Sequence, residues 1–286
     1  LKRVRVRHAG AAAWGELRDG EVILDSGARL DPAAVEWLAP VEPTKILAVH
    51  LTYRSRLEEY RVTRMPAEPS YFMKPPTTLN GHRGVIRRPV GTRWLNYEGE
   101  LAVVVGRAMK GVPAEDAHEY VAGFAPANDV GLHDFRHADR GSMLRVKGQD
   151  GFLPIGPAVT SIDEWTPDDG YTLTTRVNGA VVQQADADDL IWDWRYQLAD
   201  LCRLITLEPG DVVLTGTPAN SRPMAIGDLV SVEISGLGAV ESTVVEWDVD
   251  LTGPGDQPET SPNTLHVALA IAEDEAERMV NEGRIP

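Results

Sequence analysis

A single cysteine, Cys202, in 286 residues leaves no partner for an internal disulfide and fits a reducing compartment, so a cytoplasmic location is expected. It lies in an apolar segment and reads as a small buried hydrophobe. No apolar run approaches the ~20 residues that a bilayer crossing needs, so the sequence predicts a soluble protein without a membrane partner. Basic residues are the minority. The 28 Lys and Arg stand against 43 Asp and Glu, and the net charge of −15 would repel a phosphate backbone, which argues against nucleic acid. The opening Leu1-Lys2-Arg3-Val4-Arg5-Val6-Arg7 has the alternation of a strand and none of the apolar core of a signal peptide. A chain that opens on Leu rather than Met is expected to have lost its initiator or a few residues.

What remains is ordinary globular composition, 43% hydrophobic and 25% charged, enough for one substantial domain with a smaller appendage. Residues 1–40 read as a small β-rich N-terminal domain, with strands at Val4–His8, Ala13–Leu17 and Glu21–Leu24 and an Asp-Gly turn before the third. Ile46 to Val49 is a short strand. The polar, arginine-rich stretch from Leu51 to Ala67 reads as a mobile helix or lid closed by Pro66 and Pro69. The wider segment Tyr53–Arg93 carries Arg54, Arg56, Arg61, Arg64 and Lys74, which would attract a small anionic substrate or else form interface or solvated surface. Pro113 to Tyr120 predicts a short helix. Asn178-Gly179 predicts a hairpin between Tyr171–Val177 and Ala180–Gln183. Apolar spacing predicts a core-facing helix over 189–207, strands at 212–215, 228–232 and 239–247, a Pro/Gly-rich linker over 252–263, and one C-terminal helix over 267–282 that would dock on a neighbouring subunit.

The densest chemical signal is Tyr97-Glu98-Gly99-Glu100-Leu101-Ala102-Val103-Val104-Val105-Gly106. A β-branched run of this kind forms a strand, and residues two apart on a strand share a face. Glu98 and Glu100 therefore project side by side from a core element, where two carboxylates repel unless a cation or a proton neutralises them. A third acid, Asp129, ends the apolar stretch Ala127-Asn128-Asp129-Val130-Gly131. Three carboxylates without accompanying Cys or His point to a hard, oxygen-preferring cation, Mg²⁺ or Mn²⁺. Taken singly, Glu-x-Glu is usually a solvated strand face and Asn-Asp before Gly is usually a turn.

In order along the chain, Tyr-Glu-Gly-Glu-Leu, Ala-Asn-Asp-Val, Lys147-Gly-Gln-Asp150-Gly-Phe-Leu-Pro-Ile-Gly-Pro157 and Leu214-Thr-Gly-Thr-Pro218 resemble the fumarylacetoacetate hydrolase superfamily over roughly residues 45–247. The resemblance implies a metal site at Glu98, Glu100 and Asp129, a 2-oxo acid substrate, a catalytic Lys147, and a substrate-facing loop at Gly216-Thr217-Pro218. It also implies an α+β, predominantly β fold, a mixed β-sandwich roll. The catalytic domain would span residues 41–250, followed by linker and helix over 251–286, and the protein would be a homodimer. The lid departs from the family pattern Asn-Tyr-x-x-His-x-x-Glu: it reads Thr52-Tyr53-Arg54-Ser55-Arg56-Leu57-Glu58-Glu59, so Tyr53 and Glu59 match while Arg56 stands where the histidine is expected. An arginine stays protonated and cannot act as a base near neutral pH, which weakens the case for C–C hydrolysis. Gly131 and His133 also depart from the small polar and basic residues commoner after Asn-Asp.

A divalent ion held by three carboxylates keeps open positions for an α-keto acid and stabilises its enolate. That enolate is common to decarboxylation, isomerisation and retro-Claisen cleavage. Lys147 would stabilise the anion or deliver a proton. Arg56, with Arg54 in reserve, would clamp a distal carboxylate, with Tyr53, Lys74, Gly216 and Thr217 around the substrate. Glu59 is a candidate general base, or else a solvated helix glutamate. The favoured reading is a metal-dependent decarboxylase or isomerase acting on an unsaturated 2-oxo dioate in aromatic catabolism, as in similar proteins acting on 5-oxopent-3-ene-1,2,5-tricarboxylate or 2-hydroxyhepta-2,4-diene-1,7-dioate. The alternatives are a hydrolase of acylpyruvates or fumarylacetoacetate, and a metal-binding oligomer without turnover.

Overall fold

The computed structural model describes residues 1–139, 141–249, 251 and 253–285. The fold is α+β and predominantly β. An 11-stranded sheet runs, in spatial order, Arg29–Leu30, Glu21–Leu24, Ala11–Arg18, Lys2–His8, Ala158–Ser161, Val121–Asn128, Gly99–Val105, Val212–Leu214, Ile46–His50, Ser70–Lys74, with Glu36–Leu38 also paired to Lys2–His8. Its neighbours are antiparallel except Val212–Leu214 beside Ile46–His50. A second, five-stranded sheet runs Ala180–Asp186, Thr172–Val177, Leu229–Ile234, Gly238–Trp247, Gly84–Pro89. The two hairpins expected at Asp19-Gly20 and Asn178-Gly179 form, and all four turn residues have positive φ, as the right-handed twist of two-residue hairpins requires.

The strand Gly99–Val105 is buried on both faces, and its alternation sorts two cores. Leu101, Val103 and Val105 face one way, into a core shared with Phe124, Leu173, Leu198 and Ile234. Ala102 and Val104 face the other way, with Ala48, Phe72, Ala125 and Val146. Gly99 belongs to the first face: a Cβ there would lie 2.2 Å from Thr175 Oγ1 of the second sheet. Glu98 and Glu100 therefore belong to the second face, at its open end.

Six α-helices are present among the described residues: α1 Arg54–Glu59, α2 Arg136–Asp139, α3 Leu144–Lys147, α4 Trp194–Leu204, α5 Pro262–Leu269 and α6 Glu273–Asn281. Three expectations are corrected. The stretch Leu51–Ala67 is helical only over α1. The helix expected over 189–207 begins at Trp194, because the Asp193 carboxylate accepts from Tyr196 N–H at 2.8 Å and caps it, while Ile191 N–H is drawn to Thr52 O. The single C-terminal helix is two, broken at Ala270, where φ is +53°. Ser261 caps α5 inside the expected linker, of which residue 252 lies outside the described residues. Leu265, Ala268 and Ala276 pack on Trp94 of this same chain.

Candidate active site

Backbone hydrogen bonds at two strand ends bring the three acids together. Glu98 N–H donates to Asn128 Oδ1 at 2.9 Å, and Asp129 N–H donates to Glu98 O at 2.8 Å. One carboxylate oxygen from each of Glu98, Glu100 and Asp129 then lies within 4.8 Å of the others. Gly216 N–H donates to Glu100 Oε2 at 2.7 Å. That loop position has φ +96°, and a Cβ there would stand 1.9 Å from Thr52 Oγ1, so only glycine brings its amide this close.

Lys147 arrives from α3. The Asp139 carboxylate accepts from Arg145 and Val146 N–H at 3.0 and 2.9 Å, satisfying amides at the start of this short helix. Val146 enters the second core, and Lys147 Nζ donates to Glu98 Oε2 at 2.7 Å and to Asp129 O at 2.6 Å. Gly131 gives it room, since a Cβ there would meet Lys147 Cε at 3.0 Å. Lys74 Nζ, fully buried, reaches Asp129 Oδ1 and Phe152 O from behind.

The charges are unevenly matched. Burial pushes the Asp129 carboxyl up, but Lys147 and Lys74 outweigh it and hold it below the usual carboxylate range. Glu100 has no ammonium of its own: burial, then the Asp129 and Glu98 charges, push it well above that range. Burial pulls Lys147 down, yet Asp129 and Glu98 keep it above its ordinary value. An all-oxygen trio with one uncompensated, deeply buried member suits a hard divalent cation, which would relieve the repulsion felt by Glu100.

These groups face a cavity of about 1060 Å³, lined among others by Arg56, Glu59, Glu98, Glu100, Asp129 and Lys147. On α1, Arg56 and Glu59 stand three apart and meet at 2.6 Å, while Arg56 Nη2 lies 3.6 Å from Glu98. The Arg56 guanidinium stacks on Tyr60, 4.5 Å from the ring centroid. Glu59 also accepts from Arg222 at 2.7 Å and from Asn220 N–H. Thr217 lines the cavity, and its Oγ1 accepts from Gln183 Nε2 at 3.1 Å. Tyr53 and Lys74 lie behind the wall: Tyr53 is fully buried, its hydroxyl 3.4 Å from that of Tyr171. Arg54 points away, to the carbonyls of Asp188 and Leu190.

Sequence reasoning assigned no role to Gln183, which also accepts from Gly99 N–H and ties the second sheet to the loop after Gly216. It gave none to His133, Arg136 and His266, which line the cavity. His133 is 1% exposed with both ring nitrogens unpartnered, and burial, then Arg136, Lys147 and Arg56, hold it neutral. Nothing local in the sequence marks Arg136 and His266, since their place depends on how α2 and α5 meet, and His133 is marked only as a departure from the family pattern.

The family model described as fumarylacetoacetate (FAA) hydrolase C-terminal matches residues 45–245. An uncharacterized protein of Archaeoglobus fulgidus is 39% identical over 230 residues, covering 80% of this chain and 90% of that protein. A 4-hydroxyphenylacetate degradation bifunctional isomerase/decarboxylase of Salmonella dublin is 35% identical over 200 residues, 70% of this chain but 46% of that protein. Among solved structures, 5-carboxymethyl-2-hydroxymuconate delta-isomerase from Mycobacterium smegmatis superposes with a TM-score of 0.78 at 33% identity, covering 87% of this chain and all of that one.

Proposed function

The chain belongs to the fumarylacetoacetate hydrolase family, and from that premise we propose that it is a divalent-cation-dependent enzyme acting on anionic 2-oxo acids, by decarboxylation or isomerisation through an enolate. The observation that carries the reading is the convergence of Glu98, Glu100 and Asp129 on one cavity, with Lys147 bonded to two of them. Mg²⁺ or Mn²⁺ held there would act as a Lewis acid on the keto oxygen of the substrate.

The remaining chemistry belongs to the chain. Lys147, charged and buried, sets a positive charge where the enolate oxygen develops. Thr217 and the cavity face of Arg56 orient the substrate, while Tyr53, Lys74 and Gly216 hold the wall behind it. Glu59 is the carboxylate nearest the lid, but Arg56, Arg222 and Asn220 N–H occupy its oxygens, so it accepts a proton only when substrate draws an arginine away. His133, neutral with open ring nitrogens, offers the substrate a further hydrogen-bond partner. Isomerase and decarboxylase activities in the names of relatives support this reading and its setting in aromatic catabolism. A homodimer is proposed as the assembly. The second reading, C–C hydrolysis of an acylpyruvate, is favoured by the family itself.

Mn²⁺ titration with and without the Asp129→Asn substitution tests the site. The wild type should bind one Mn²⁺ per chain and Asp129→Asn at least ~10-fold more weakly, since an anionic ligand is lost. Turnover of oxaloacetate and an unsaturated 2-oxo dioate should vanish with chelator. Acetate released from acetylpyruvate would move the assignment to hydrolysis. Metal binding with no turnover would leave a non-catalytic metal-binding protein.

A further inference from the structure

The cavity is longer than the reacting end of a 2-oxo acid. From the carboxylate trio it extends to Asn263, His266, Val267 and Ile271, residues of the C-terminal helical pair and of the turn inside it. At about 1060 Å³ it stands at the top of the roughly 300–1,000 Å³ usual for small-molecule sites. These helices follow residue 245, the last matched by the family model. The far end of the cavity is thus furnished by a part of the chain on which the family model is silent.

Arg136, the first residue of α2, lines this region. Its Nε donates to Asn263 Oδ1 at 2.9 Å and its Nη1 reaches Met143 Sδ at 3.7 Å. Of the other arginines on the cavity wall, Arg56 is paired with Glu59, and Arg61 and Arg64, without an ion pair among the described residues, are exposed where Arg136 is half-buried. Among the described residues no carboxylate lies within ion-pair distance of Arg136, and Asp274, also on the cavity wall, is bonded to Arg278. A partly buried guanidinium with a neutral amide on one edge leaves a fork of N–H donors free for an oxyanion. Beside it His133 has two unpartnered ring nitrogens.

We propose that Arg136, aimed by Asn263 of α5, forms a second anion subsite that takes the distal carboxylate of a dicarboxylic 2-oxo acid. The inference rests on the reading of the metal end as a 2-oxo acid site and adds which end of the substrate the C-terminal helices select. It also moves the clamp from Arg56, whose charge is spent on Glu59 and Glu98, to Arg136. Asn263 is a positioning residue. Arg136 meets the ligand itself.

The test is calorimetric binding, in Mn²⁺, of 2-oxoadipate and 2-oxohexanoate, which share the 2-oxo acid end and differ in a distal carboxylate against a methyl group. The full chain should prefer 2-oxoadipate about 10- to 100-fold, the span of a charge-assisted hydrogen bond. Arg136→Met should bring the preference to within about threefold while leaving 2-oxohexanoate affinity unchanged, and Asn263→Ala should reduce it partway. Equal binding of both acids by the wild type, or an undiminished preference in Arg136→Met, overturns the subsite and leaves the metal-end reading intact. Loss of both acids in Arg136→Met and again in Arg136→Gln also overturns it, since the residue would then hold the cavity rather than the carboxylate. Failure of both acids to bind the wild type sinks the 2-oxo acid reading itself.

Discussion

His82 shows how one side chain can make this protein acid-sensitive far from its cavity. Its Nδ1 accepts from Glu241 N–H at 3.2 Å and its ring meets Trp37 edge-on at 5.7 Å, so it joins the N-terminal strands to the second sheet. Only the neutral ring can accept that bond. Burial, with the Arg83 charge, lowers its pKa to about 4 against an ordinary 6.5. Between those values the unfolded chain binds more protons than the folded one, so stability is full above pH 6.5 and falls as the pH drops toward 4. His50 and His133, also shifted downward by burial, act in the same direction. The melting temperature should decline over that window. His82→Gln, which keeps an acceptor that does not titrate, should make the decline shallower. An unchanged slope in thermal melts at pH 4.5 to 7 would remove His82 from the account.

Elements carry the site by alternation. Gly99 separates the two glutamates because the second sheet lies against its face of the strand, with Thr175 Oγ1, Leu173 Cδ2 and Val232 Cγ1 within 3.2 Å of where a Cβ would be. Gly99→Ala should therefore overpack this sheet contact, costing about 1–3 kcal/mol. It should also weaken Mn²⁺ binding by shifting Glu98 and Glu100, although alanine carries no charge and touches no ligand. Chemical denaturation and Mn²⁺ titration read the two effects separately, and full retention of both would mean that the sheets adjust freely here. The alternation behind this was legible in the sequence, as were both hairpins, whose Asp-Gly and Asn-Gly pairs need only local backbone geometry. The start of α4 was not. Leu190 and Ile191 keep helical spacing, but the Asp193 cap and a backbone bond to Thr52 claim that stretch for an extended approach to the lid.

At the scale of the molecule, we propose the divisions 1–40, 41–250 and 251–286 as units of organisation, and they differ in how they are attached. The first forty residues extend the main sheet through the pairing of Lys2–His8 with Ala158–Ser161 and share a core of Val4, Val6, Trp37 and Ala158. The C-terminal helices rest on one smaller cluster around Trp94. Removing residues 1–40 should bare the edge of the short strand Ala158–Ser161 with its buried Ala158 and give insoluble protein, whereas removing 251–286 should leave a folded chain with a lower melting temperature and intact Mn²⁺ binding. Soluble, cooperative unfolding of the first truncation would show that the sheet edge is dispensable. No helix among the described residues is long and apolar enough to cross a membrane.

The sequence by itself determined what depends on near neighbours: strand alternation, turn chemistry, the carboxylate trio as an oxygen-donor set, and a family resemblance that the comparisons bear out over residues 45–245. Tertiary structure alone decided what depends on chain segments far apart. Lys74 meets Asp129 across 55 positions, and Asn263 meets Arg136 across 127. It also decided that Arg56 is paired while Arg136 is open, because a guanidinium is always charged in sequence but only the fold determines whether a carboxylate stands beside it.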